Sequence, residues 1–190
     1  IYVLFNGRIS YDINNEMVRS HCVFYDLSER HKAEMLLKDS EQQLQTIFDT
    51  TPSVMCLLNE KLEIIRINNT GLQLARNIKD EILYKQGGDI FGCIYALKNP
   101  DGCGKGEECK TCVVRNTILK AINEQTNILR VEASMLVNWD GVQQQLFVLL
   151  SVNVLNFAGW KGILVTFDNI TERKQMEIAL QQSEQRYQKI

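Results

Sequence analysis

Four cysteines fall within twenty residues, Cys93, Cys103, Cys109 and Cys112, with the spacing C-x9-C-x5-C-x2-C. Thiolates are soft ligands, and four of them suit tetrahedral zinc or a [4Fe–4S] cluster. The C-x2-C pair lets one short turn present two sulfurs to one centre, and Gly102, Gly104 and Gly106 let the backbone wrap closely around it. The expectation is one four-Cys metal centre, with zinc and [4Fe–4S] left open. One or two disulfides, structural or redox-switching, are the competing reading, and unlinked thiols the remaining one. Cys22 and Cys56 sit in apolar strand patterns and read as core.

Other chemistry is sparse. The histidines are His21 and His31, both outside the cysteine-bearing region, which therefore has no His for an axial haem bond. Cys109-Lys110-Thr111-Cys112 is followed by Val113, so it is not a c-type haem attachment site. No Ser/His/Asp set, phosphate loop or paired acids stand out, and the segment is read as non-enzymatic.

The elements that must position the cysteines come next. With 190 residues, the chain holds one sizeable domain plus flanking pieces. A formal charge of −2 gives no basic footprint, so nucleic acid is excluded as a partner. The longest apolar stretch, Leu146 to Phe167, is broken by Ser151, Asn153, Asn156 and Lys161 and alternates like strands, so no membrane contact is expected. No signal peptide opens the chain. The first residue is not Met, which reads as a segment of a longer parent whose membrane anchor, if it has one, lies elsewhere; the expected location is cytoplasmic.

The chain repeats itself. Residues 29–47 and 172–190 align without a gap, 143 positions apart, with nine of 19 residues identical. Each copy reads as a helix, with Ser28 or Thr171 as the N-cap and an acid in the first turn. Ala33, Leu37, Ser40, Leu44 and Ile47 are spaced 4-3-4-3, and Met176, Leu180, Ser183, Tyr187 and Ile190 repeat that spacing. Such a narrow seam on a polar helix predicts a parallel coiled-coil homodimer through Leu37, Leu44, Ile47, Leu180 and Tyr187.

An α/β pattern lies between the helices. Val54–Leu58 and Leu62–Asn68 read as a hairpin, Thr70–Asn77 and Asp80–Tyr84 as short helices, and Val113–Asn123 as an amphipathic helix. The Gly- and Cys-rich stretch 87–112 intervenes. Three long strands follow, the first two joined by the turn Asp140-Gly141.

The order β-β-α-α-α-β-β-β closes in Asp168-Asn169-Ile170-Thr171-Glu172-Arg173, which resembles the end signature of the PAS (sensory box) fold. Ser40-Glu41-Gln42-Gln43-Leu44 and Ser183-Glu184-Gln185-Arg186-Tyr187 look like lead-ins to such domains. The resemblance covers about residues 40–173. It implies an α+β fold, a five-stranded antiparallel sheet with helices on one face, flanked by long helical linkers. Residues 1–28 then read as the last strands of a preceding PAS-like unit, 29–50 as a linker helix, 51–171 as the PAS domain and 172–190 as a helix leading to a next domain. The resemblance also implies a cavity for a small molecule, adjacent PAS and output domains in the same chain, and a parent protein such as a sensor histidine kinase or a cyclic-dinucleotide enzyme. Asp168, Thr171 and Arg173 would transmit the signal, with Asp168 and Arg173 holding the strand–helix junction by a salt bridge or backbone contacts. The expected function is a sensory module responding to redox state, gas or a small ligand through the four cysteines. The alternatives are a dithiol redox enzyme using Cys109 and Cys112, or a scaffold stapled by zinc or disulfides.

Overall fold

The computed structural model describes residues 1–76, 82–157 and 159–187, and these fall into two compact units, Ile1–Ile47 and Phe48–Ile190. In the first, β1 (Val3–Tyr11) and β2 (Met17–Asp26) form an antiparallel hairpin. Its turn is closed by Asp12, whose carboxylate accepts the N–H groups of Asn14 and Glu16 at 2.8 and 2.9 Å. The helix α1 (Ser28–Thr50) follows and carries the first seam.

The second unit opens with the hairpin β3 (Val54–Leu58) and β4 (Ile64–Ile67). Short helices α2 (Asn69–Ala75), α3 (Gly87–Ile90) and α4 (Ile94–Lys98), a 3-10 turn at Glu107–Thr111 and α5 (Val113–Glu124) come next. The meander β5 (Ile128–Trp139), β6 (Val142–Phe157) and β7 (Trp160–Asn169) completes the sheet, and α6 (Thr171–Tyr187) follows it. Strand order is β4-β3-β7-β6-β5, antiparallel throughout. The expected helix at Asp80–Tyr84 overlaps residues 77–81, which lie outside the described residues.

Alternation decides what is buried. Val54, Cys56 and Leu58 of β3, Val148, Leu150 and Val152 of β6, and Ile163, Val165 and Phe167 of β7 turn one face of the sheet to the core. On α5, Ile118 and Ala121 meet that face. Asn68 is buried yet satisfied at every polar atom. Its Oδ1 accepts the N–H groups of Met55 and Gly71, each at 3.0 Å, and its Nδ2 donates to the carbonyls of Ser53 at 2.9 Å and Thr51 at 3.3 Å. One side chain thus caps α2 and ties it to the start of β3.

The sequence repeat has a structural counterpart. Ser28 and Thr171 do not cap their helices as expected. Instead, Ser28 Oγ accepts the N–H of Tyr2 and Thr171 Oγ1 that of Phe147, each at 3.0 Å. The residue two before each hydroxyl supplies the cap, Asp26 accepting the Ser28 N–H at 2.9 Å and Asn169 the Thr171 N–H at 3.0 Å. The hydroxyls are free to do this because an Asx side chain already serves the helix start. Cross-strand pairs correspond as well: Phe5↔Phe24 and Gly7↔Cys22 match Leu150↔Phe167 and Val152↔Val165. In the second unit that face is core. In the first, Phe5 and Phe24 are 58% and 67% exposed.

Candidate functional site

Under the core face of the sheet lies a cavity of about 410 Å³. Every cysteine of the second unit lines it: Cys56 from β3, Cys93, Cys103, Cys109 and Cys112. The segment between Gln86 and Val113, expected as an irregular Gly- and Cys-rich loop, is built from short elements. Cys93 stands just before α4 and donates its N–H to the Gly88 carbonyl at 2.8 Å. Cys103 follows Gly102, whose φ of +78° only glycine adopts freely, and its N–H donates to Asp89 Oδ1 at 2.8 Å. Cys109 sits in the 3-10 turn and Cys112 just before α5.

Cys103 Sγ lies against Gly88, where a side-chain carbon would stand only 2.5 Å away. Burial, aided by nearby Asp89 and Cys109, pushes the Cys103 thiol up to about 11. Burial pushes Cys56 up to about 12. Both are protonated near neutral pH. Of the C-x2-C pair, Cys109 is buried and Cys112 half-buried. The four clustered cysteines share one cavity, but among the described residues no three His, Cys, Asp or Glu side chains stand close enough to hold one ion. A zinc site closes all four ligands to about 2.3 Å of the metal, so the observed spread fits the cavity wall and not a finished zinc tetrahedron. Cys56 joins the core as expected, whereas Cys22 is exposed on the hairpin.

The rest of the lining is mostly apolar, chiefly Leu58, Ile64, Phe91, Ile118, Leu150 and Phe167, with Gln86, Tyr95, Glu108, Thr111, Arg115 and Ser134 as its polar members. Arg115 was not singled out by the sequence, since on an amphipathic helix it reads as a solvated position. Its signal is its place, one residue after the cavity-lining Val114 and three before Ile118.

The junction beyond the cavity holds differently from expectation. Asp168 accepts a hydrogen bond from Ser53 Oγ, not a contact from Arg173. Arg173 pairs with Glu132 of β5 at 2.9 Å and with Glu177 at 3.5 Å. Lys174 reaches Glu132 at 2.7 Å. Glu132, Leu149 and Asp168 are cross-strand neighbours in one row, and α6 leans toward the β5 end of that row. The Lys174 ammonium, then Arg173, holds the Glu132 carboxyl below its ordinary range. The small stabilisation this gives is present above the ordinary carboxylate value and is lost as pH falls through the lowered one.

No family model matches the sequence, and no curated protein matches it. Solved structures do. The chain is similar to the PAS domain of an HTR-like protein from Haloarcula marismortui, with 14% identity, 74% of this chain and 99% of that one covered, and a TM-score of 0.50. It is similar to an RNA-binding light-oxygen-voltage receptor, with 10% identity, 78% of this chain and 37% of that one covered, and a TM-score of 0.52. The PAS domain of nitrogen regulation protein NR(II) from Vibrio parahaemolyticus aligns at 14% identity over 66% of this chain and 96% of that one, with a TM-score of 0.46. At these identities the likeness concerns the fold. The second unit has the PAS fold, α+β with a five-stranded antiparallel sheet. Among the described residues no helix is long and apolar enough to cross a membrane.

Proposed function

We propose that this segment is a sensory, signal-transmitting PAS module of a larger signalling protein, a sensor histidine kinase or a cyclic-dinucleotide enzyme. The observation that carries the reading is the continuity between cavity and output helix. Val165 and Phe167 of β7 line the cavity, and two residues after β7 ends Thr171 opens α6 while bonded to Phe147 of β6. An occupant that displaces β7 therefore displaces the start of α6 with no loose linker between them. The matching junction at Ser28 supports reading residues 1–28 as the last strands of a preceding PAS-like unit, with 29–50 as its outgoing linker.

In the finer reading, Cys93, Cys103, Cys109 and Cys112 hold zinc or a [4Fe–4S] cluster, the segment 87–112 drawing in around it. The four thiols must ionise to bind, and a metal would supply the redox or gas response. Metal and sulfide analysis with an absorbance spectrum, on anaerobically purified protein, tests this. Metal bound in the wild type and lost in Cys103→Ser is the expected result; metal-free wild type, or a mass short by the hydrogens of a disulfide, sinks the metal reading.

The exposed seam residues Leu37, Leu44 and Leu180, with Ile47, support a parallel homodimer. The side chain of Tyr187, and all of Ile190, lie outside the described residues. Sedimentation should show a dimer that Leu37→Glu weakens at least tenfold; a monomer at high micromolar concentration overturns it.

A further inference from the structure

Among the described residues the cavity has one cationic wall residue. Arg115 is half-buried, and its guanidinium lies against Gly104, where any side chain would overlap it. Its Nη1 donates to Gln86 Oε1 at 3.1 Å. Among the described residues no carboxylate stands within ion-pair distance of it: Glu108, the other charged member of the lining, is exposed and makes no salt bridge to Arg115. A half-buried guanidinium without a counter-charge is poorly compensated, and Gln86 supplies only a neutral acceptor. Beside a few neutral polar members, Thr111, Ser134 and Tyr95 among them, the lining is dominated by apolar side chains such as Leu58, Ile64, Phe91 and Ile118.

From this arrangement we infer that the cavity takes a small, mainly apolar carboxylate, its charged end on Arg115 and its tail against Leu58, Ile64, Phe91 and Ile118. The inference rests on the sensory reading for its biological meaning, but not on the metal. A volume of about 410 Å³ falls within the range of small-molecule sites and holds a medium-chain acid. Gly104 is part of the device. Its φ of +84° and missing side chain let the loop press on the guanidinium and keep it at the cavity wall.

Calorimetric titration of the intact chain with octanoate, and with 1-octanol as a probe of the same tail without charge, tests the inference. Octanoate should bind at least about tenfold more tightly than octanol, the scale of one charge-assisted hydrogen bond. Arg115→Gln should bring the two probes to similar affinity, and Arg115→Lys should recover part of the difference, with circular dichroism showing each variant folded. Equal affinity for both probes in the wild type, no binding of either, or a preference unchanged in Arg115→Gln overturns the site. In a chimera with an attached kinase, octanoate binding without any change in output leaves the site standing and removes the sensory reading instead.

Discussion

Asn68→Ala should destabilise the second unit by about 3 kcal/mol, seen as a shifted denaturant midpoint with little change in slope. Truncation leaves the buried N–H of Gly71 and the partly buried N–H of Met55 and carbonyl of Ser53 without their partner. Each buried unsatisfied group costs about 1–3 kcal/mol, and partial entry of water brings the sum down. Asn68→Asp keeps both acceptor bonds but sets a second carboxylate oxygen against the Ser53 and Thr51 carbonyls in a buried site, so its cost should fall when the carboxyl is protonated at low pH. A loss below about 1 kcal/mol in Asn68→Ala would mean that water replaces the side chain.

The second large effect concerns transmission. Thr171→Val keeps the shape of the side chain and removes the bond from the Phe147 N–H. The expected stability loss is only about 1 kcal/mol, the worth of one side-chain to backbone bond. The functional effect is expected to be larger. In a chimera with a kinase, cavity occupancy should be unchanged while the occupancy-dependent change in output falls at least fivefold. A states equilibrium of a few kcal/mol is readily tipped by one bond made in only one state. Ser28→Ala is the internal control, because it breaks the equivalent bond to Tyr2 and touches nothing in the cavity. It should leave the response to the cavity occupant intact. Unchanged output in Thr171→Val would move the signal path away from this junction, toward the Glu132–Arg173–Lys174 ion pairs on β5.

The sheet was legible because its strands alternate cleanly. Val148, Leu150 and Val152 show the period-2 burial that their spacing dictates, and Asp140-Gly141 forms the turn expected of it, with Asp140 and Gly141 at φ of +53° and +82°. Residues 87–112 were not legible as structure, since three pieces of four or five residues show no helical period. What shapes them is tertiary. Gly92 carries φ +74° beside the Asn138 carbonyl, and the Trp139 indole donates to the Phe91 carbonyl at 3.0 Å. One centre for four cysteines was expected; a common cavity that Cys56 also lines was not legible, because strand alternation says which face a residue takes and not what lies opposite. The partners of Asp168 and Arg173 were missed for a similar reason. Ser53 and Glu132 become their neighbours only through strand pairing, 115 and 41 residues away in sequence.

The strand order places β3 beside β7, so Val54 pairs with Phe167 at the middle of the sheet. The two hairpins of the meander close locally, but this seam joins the two ends of the unit and must wait for the whole intervening chain, at the cost in loop-closure entropy that slows folding of non-local pairings. On a ribosome, β3 and β4 emerge long before their partner strand is made, with Cys56 and Ile64 uncovered in the interval. The cavity acquires its β7 wall, Val165 and Phe167, in the same step that brings Thr171 to Phe147. A nascent or truncated chain that lacks β7 therefore lacks the Val165 and Phe167 wall of the cavity as well as the anchor of the helix that follows.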